Sequence, residues 1–284
     1  MVTKTSIKPQ KILTQPKGHL QNLLLWSTRF LVSTVWISAL LFGAYIFIFY
    51  FIGALKGNIV NWNKVLPNLY HPDSEIASIS IGAHFAAGGL ILMLGCIQLI
   101  ERIRVRYPFI HRWLGRLYVL LSMVTAIGGL LFIILTGTVG GISMDIGFTG
   151  YGVLTFISAV ATIYYARTKK FDLHKAWSIR LFALAIGSWL YRMYYGFWFL
   201  IADGIGHYDT FDGPFDQFMN FFFYVPNLII AEICIGKIAI TKTILAQTLA
   251  TIVTTVASVF LILATYYFTI KLWWPAIVEV IRAT

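Results

Sequence analysis

Residues 111–137 read HRWLGRLYVLLSMVTAIGGLLFIILTG, and this stretch decides the class of fold. It begins with two arginines and a tryptophan, and the 21 residues from Leu117 to Gly137 then carry no charge. A helix rising 1.5 Å per residue over that run is about 30 Å long, which matches the hydrocarbon layer of a bilayer. The stretch therefore predicts a membrane-spanning helix.

Similar apolar runs recur along the whole chain. Of its 284 residues, 58% are hydrophobic and 12% are charged, against roughly 25% charged in a soluble domain. We therefore predict an all-α polytopic transmembrane helical bundle of about seven spans. The predicted spans are Leu24–Leu55, Ala77–Ile100, Trp113–Gly137, Tyr151–Arg167, Trp177–Ile201, Asn220–Ile240 and Leu249–Leu272.

The charges between the spans indicate one orientation. Basic residues follow spans two, four and six, and acidic residues fill the loops between, so the positive-inside rule puts the N-terminus in the cytoplasm of a bacterial inner membrane and the C-terminus outside. The basic residues are Arg102, Arg104, Arg106, Arg112, Arg167, Lys169, Lys170, Lys175, Lys237 and Lys242. This divides the chain into a cytoplasmic segment (1–23), a transmembrane bundle (24–272) and an extracytoplasmic tail (273–284).

The net charge of +11 follows this loop pattern, so it favours anionic lipids at the cytoplasmic face as partners and argues against nucleic acid. Tryptophans near the predicted span ends are expected to anchor the protein in the headgroup layer. They are Trp62, Trp113, Trp177, Trp198, Trp273 and Trp274.

Two spans begin with similar sequences. Residues 111–117 (HRWLGRL) and 174–181 (HKAWSIRL) each contain a histidine, a basic residue, a tryptophan and an arginine three residues after the tryptophan. If these starts mark an internal repeat, spans two to five form a four-helix core.

At these residues the chain resembles a bacterial membrane-protein family known as domain of unknown function 2306. The matching pieces are Gly82-Ala83-His84, residues 111–118 and residues 174–180, and the resemblance covers roughly Ala77 to Arg192. It implies a multi-span helical fold and supplies no reaction.

The basic side chains at the two helix starts allow three interpretations. The arginines can extend to anionic lipid headgroups and need no ligand. Alternatively, His111 and His174 ligate the iron of a b-type haem while Arg116 and Arg180 pair with its propionates. In the third, the same arginines bind a phosphate or another anion.

A second group of polar residues lies deeper in the predicted spans. His84, Arg192 and Asn227 reach similar depths, and Tyr191 and Tyr195 flank the arginine, which predicts an outer ligand pocket or proton path. The alternative for His84 is a hydrogen bond between helices. Glu232 either relays protons or binds a cation in such a path, or it neutralises an arginine such as Arg180.

The leading functional prediction is a b-type haem or quinone-linked electron-transfer protein, a membrane oxidoreductase with His84 at an outer site. Haem iron is the only metal in this prediction. The alternatives are a transporter or lipid/small-ligand-binding membrane protein, and a structural subunit of a larger membrane complex.

Overall fold

The computed structural model describes residues 18–98, 100–236 and 243–282, apart from the side chains of Cys96 and Glu101. These residues form helices and connecting turns, with no strand in the described ranges. The helices are α1 (His19–Ile46), α2 (Gly53–Leu55), α3 (Trp62–Val65), α4 (Glu75–Gln98), α5 (Glu101–Arg106), α6 (Pro108–Thr136), α7 (Gly141–Arg167), α8 (Phe171–Ala185), α9 (Gly187–Ala202), α10 (Pro214–Phe222), α11 (Val225–Ile235), α12 (Ile244–Phe268) and α13 (Trp274–Arg282). Lys237, Lys242 and most of the predicted N-terminal segment lie outside the described residues.

Six stretches of the described chain are long and apolar enough to cross a membrane. They are His19–Leu55, Glu75–Gly95, Pro108–Thr136, Gly141–Arg167, Pro214–Ile235 and Ile244–Arg282. The fifth predicted span consists of α8 and α9, which meet at Ile186. Backbone hydrogen bonds continue across this junction, from Ile186 N–H to Phe182 O (3.1 Å) and from Leu190 N–H to Ile186 O (2.9 Å). The polytopic all-α prediction is confirmed, whereas the fifth predicted span, formed by α8 and α9, is not among the six candidate spans of the described residues.

We name the two ends of the bundle by their charges. The basic end is where α6 and α8 begin, and the acidic end is where α10 begins. Spans two to five pack in a ring of α4, α6, α7 and α8. One core cluster takes side chains from all four helices: Ile91, Tyr118, Val119, Ala159, Leu181 and Ala185. The expected four-helix core is therefore present.

The first and last spans pack against each other and against α9. A buried polar contact joins the three helices: Ser38 Oγ accepts from Trp189 Nε1 at 3.0 Å and lies 2.6 Å from Thr265 Oγ1. Because hydrocarbon offers no competing partners, such bonds fix which faces of neighbouring helices meet.

Glycines set the distance between α4 and α6. A Cβ on Gly128 would lie 2.5 Å from the Ser80 carbonyl oxygen and 3.1 Å from the His84 nitrogen. A Cβ on Gly129 would lie 2.8 Å from His84 Nδ1. The backbones of α4 and α6 can therefore approach this closely only because Gly128 and Gly129 lack side chains.

Two predicted boundaries differ from the structure. Helix α7 begins at Gly141 rather than at Tyr151, because the carboxylate of Asp145 accepts the Thr138 N–H at 2.7 Å and so has a partner at the helix start. The sixth span is broken into α10 and α11 before Pro226, which has no N–H to continue the hydrogen-bond ladder.

The anchoring role predicted for Trp62 and Trp273 is wrong. Trp62 is 3% exposed and Trp273 is 1% exposed, and both belong to the largest core cluster. They are buried because the chain folds back at the acidic end. Residues 274–282 of the predicted tail form α13. Lys56 Nζ donates to Val280 O at 2.9 Å, and Lys64 pairs with Glu279 at 2.8 Å.

Candidate functional site

His174 lies in the first turn of α8 and is held by the neighbouring helix. Its Nδ1 is 2.9 Å from the carbonyl oxygen of Thr162 on α7. A carbonyl oxygen can only accept, so Nδ1 is the donor in this contact, and in the neutral ring the lone pair is then on Nε2. Histidines that ligate metals are oriented in the same way by a backbone carbonyl on the other nitrogen.

His111 lies at the equivalent place in α6. Among the described residues its Nδ1 is buried without a hydrogen-bond partner, and so is Nε2 of Gln98 at the end of α4. His111 and His174 are each the fourth residue of their helix, and Gln98 packs against α6, where its Oε1 would lie 3.5 Å from a Cβ on Gly115. Two imidazoles and an amide, from three helices, therefore lie at the basic end of the four-helix core.

The arginines of the two similar helix starts share one contact. Arg116 lies 6.0 Å from the centre of the Trp113 ring, and Arg180 lies 4.6 Å from that of Trp177. Arg116 is exposed on the outside of the helix ring. At about 100° per residue, Arg116 is about 140° around α6 from His111.

Arg180 is already paired with a carboxylate. Its Nε and Nη2 donate to Oε1 and Oε2 of Glu232 at 2.5 and 2.8 Å. Of the two interpretations of Glu232, the structure contains the ion pair with Arg180. Neither Arg116 nor Arg180 is thus placed to hold a haem propionate beside the histidines.

The Arg180–Glu232 pair should be coupled in stability. We expect Glu232→Gln or Arg180→Gln alone to lower the unfolding temperature in detergent, and the double variant to recover most of the loss, because each single change leaves a charge without its partner. With the side chains 23% and 54% exposed, the coupling should be about 1 kcal/mol, near the top of the range for exposed pairs because the contact is bidentate.

Lys64→Gln is the matched control for this cycle, since Lys64 and Glu279 form a more exposed pair. It should leave the unfolding temperature nearly unchanged. Additive effects of the two Arg180–Glu232 single changes would contradict the coupling.

His84 forms a hydrogen bond between α4 and α6. This was the stated alternative to a role in an outer pocket. Its Nδ1 lies 2.7 Å from the Thr125 carbonyl oxygen on α6. Asn227 likewise makes structural bonds, from Nδ2 to Phe223 O at 2.9 Å and to Ala183 O at 3.5 Å. Because Glu232 pairs near the basic end, the predicted path through Arg192, Glu232 and His84 is not continuous.

Tyr191 and Tyr195 belong to a buried hydrogen-bonded chain. The Tyr191 hydroxyl donates to that of Tyr195 at 3.1 Å, and Tyr195 donates to Asp216 Oδ1 at 2.5 Å. His207 Nδ1 lies 2.7 Å from the same oxygen. The chain runs from the loop at the acidic end to Tyr191, whose ring centre is 5.2 Å from the guanidinium carbon of Arg192.

Asp216 and His207 were not among the predicted site residues, because both stand in a predicted loop between spans. Asp216 is 0% exposed. One signal was available: Gly213-Pro214-Phe215-Asp216 is typical of a helix start, with proline at the first position and an acid in the first turn. No sequence pattern shows that the His207 loop folds back onto α9.

No group of three or more His, Cys, Asp or Glu side chains that could hold a metal ion occurs among the described residues. A multi-pass α-helical membrane protein is the class that the fold defines. The family model described as predicted membrane protein DUF2306 matches residues 81–235, more than half of the chain, so the protein belongs to that family. The match covers most of α4 and all of α5 to α11, and it extends beyond the stretch that carried the resemblance. No curated protein and no solved structure matches the chain.

Proposed function

We propose that the protein binds a b-type haem at the basic end, with His111 and His174 as the two axial ligands. The observation that carries the proposal is the presence of both imidazoles at the same end of the four-helix core, one oriented by the Thr162 carbonyl and the other with a buried Nδ1 that has no partner among the described residues. A bare metal ion in a protein commonly needs three or four side-chain ligands, whereas a porphyrin supplies four nitrogens and leaves two axial positions.

Residues of the chain would prepare this site in two ways. The Thr162 carbonyl keeps the His174 ring in one orientation with Nε2 free. Tyr118 and Leu181, each seven residues after its histidine and therefore about 10 Å deeper, close the core against water. When bound, haem supplies one-electron oxidation and reduction, and a membrane quinone is the corresponding electron carrier.

The proposal includes an orientation. Basic residues lie at the C-terminal ends of α5 and α7 and at the N-terminal end of α8. The basic end would therefore face the cytoplasm of a bacterial inner membrane. Arg116 and Arg180 would contact headgroups and Glu232 rather than the haem.

Visible absorption of the purified protein tests the haem directly. Protein produced with ample haem should show a Soret band, and its reduced-minus-oxidised spectrum should be that of low-spin, bis-histidine iron. His111→Ala and His174→Ala should each abolish the low-spin spectrum, because each removes one axial ligand.

His71→Gln is the matched control, since His71 lies in the loop before α4 at the acidic end. It should keep the wild-type spectrum. Absence of a Soret band in the wild-type protein would refute haem binding, and wild-type spectra in both alanine variants would refute the ligand assignment.

A further inference from the structure

We infer that the acidic-end half of the bundle contains a binding site for an oxyanion group, a carboxylate or a phosphate, with Arg192 as its cation and two buried tryptophans as additional donors. This site is independent of the haem proposal. It shares no residue with the basic end.

Arg192 lies within the fifth predicted span, and no described residue pairs with it as an ion. It stands ten residues before the end of α9, about 15 Å along the helix. Among the described residues its guanidinium has the Tyr191 ring as its recorded contact, and no carboxylate pairs with it. Arg180, by contrast, has Glu232. A cation at this depth is costly unless something neutralises it.

The nearest buried acid in the polar chain does not supply that partner. Asp216 already accepts from Tyr195, His207, Tyr208 N–H and Gly213 N–H, and the two tyrosines separate it from Arg192. Its charge is therefore used within the loop. The guanidinium remains available for another anion.

Unused donors lie in the core cluster beside the arginine. Met193, next to Arg192 in the chain, is fully buried and belongs to the same cluster as Tyr45, Tyr50, Trp62 and Trp273. Within the part of the chain that the structure describes, the indole N–H groups of Trp62 and Trp273 are buried without a hydrogen-bond partner. An indole nitrogen can only donate, so both groups need an acceptor that the described protein does not provide.

The aromatic rings connect these donors into one wall. Ring centres are 6.2 Å apart for Trp273 and Tyr45, 6.3 Å for Tyr45 and Tyr50, and 5.7 Å for Tyr50 and Trp62. The Tyr45 hydroxyl, beside that of Tyr50, also lacks a partner of good geometry. A cation and several donors on an apolar wall are complementary to an acceptor with negative charge.

The backbone is irregular at the same place. Residues Phe47–Ile52 and Thr269–Trp273 form π-helical segments, which contain Tyr50 and Trp273. The hydroxyl of Thr269 is another buried polar atom without a partner. Single π-helical turns inside α-helices occur frequently at functional sites, and here two of them flank one set of unpaired donors.

The oxyanion could belong to an amphiphile or to a free ion. We would compare oleate with oleyl alcohol, which has the same chain without the charge, and with acetate and inorganic phosphate. The readout is the unfolding temperature of the protein in maltoside detergent. It is measured by size-exclusion chromatography of samples heated to increasing temperatures. Oleate should raise this temperature and oleyl alcohol should not.

Arg192→Gln should weaken the oleate effect at least tenfold in concentration, and it should fold because it removes an unpaired charge. Trp62→Phe and Trp273→Phe keep the rings and remove only the N–H, so each should weaken the effect by several-fold. Arg116→Gln is the matched control: it removes an exposed arginine and should leave the response to oleate unchanged.

A response to oleate alone assigns the site to an amphiphile with an acidic headgroup, and an equal response to acetate or phosphate assigns it to a free oxyanion. Equal effects of oleate and oleyl alcohol would overturn the inference. So would an unchanged oleate response in Arg192→Gln, or no response to any of the three anions.

Discussion

Asp216→Ala should be among the most destabilising single changes in the chain, with an expected loss of about 3–5 kcal/mol. The carboxylate is 0% exposed and accepts from Tyr195, His207 and two backbone N–H groups. Alanine would leave all four donors buried without an acceptor. The yield of monodisperse protein in detergent and its unfolding temperature measure the effect.

Asp212→Ala provides the matched control for this substitution. Asp212 is four residues earlier in the same loop, is exposed and accepts from the Thr210 hydroxyl. Its removal should change the unfolding temperature by little. Equal behaviour of the two alanine variants would show that the buried network does not hold the loop.

Gly128→Leu should prevent α4 and α6 from packing as they do. Even the Cβ of alanine would lie 2.5 Å from the Ser80 carbonyl oxygen, which is backbone and cannot rotate away. Overpacking of this kind typically costs roughly 1–3 kcal/mol, and the larger side chain should exceed that range because the helices must separate. The separation would also break the bond between His84 and Thr125. Gly128→Ala should give a smaller loss in the same direction.

Gly88→Ala tests whether the loss at Gly128 is steric. A Cβ on Gly88 meets its nearest neighbour, Thr125 Cγ2, at an ordinary 3.7 Å. Alanine is the better helix former, so this change should be neutral or stabilising by up to about 1 kcal/mol. Destabilisation by Gly88→Ala as large as that by Gly128→Ala would contradict the steric explanation.

The Asp216 network also connects the proposed oxyanion site to the loop at the acidic end. From His207 it passes through Asp216 and Tyr195 to Tyr191, whose ring contacts the guanidinium of Arg192. Loss of the network should therefore disturb the position of Arg192 and with it the oleate response. Asp216 and the tyrosines act here as positioning residues.

Part of the candidate site was accessible from sequence. His111 and His174 were singled out because two spans begin alike, and the structure places them at one end of a shared core. The pairing of Glu232 with Arg180 was one of two stated alternatives. Arg116 was grouped with the histidines by sequence proximity alone, and helix rotation turns it outward.

The sequence by itself determined which segments cross the membrane. Runs of about 20 uncharged residues have one stable arrangement in a bilayer, and a helix in hydrocarbon satisfies its own backbone hydrogen bonds. The approximate depth of the ionisable residues along each span follows from these lengths at 1.5 Å per residue. The four-helix core was expected from the two similar helix starts.

Only the tertiary structure decided which faces meet. Lipid tails and neighbouring helices are equally apolar, so hydropathy does not distinguish a lipid-facing tryptophan from buried Trp273, or an exposed loop from the one that buries Asp216. The π-helical turns and the unpaired donors around Arg192 arise from the rotation and close packing of particular helices. The rotation and packing of these helices are set by contacts between residues that are distant in the chain, and no local sequence pattern contains that information.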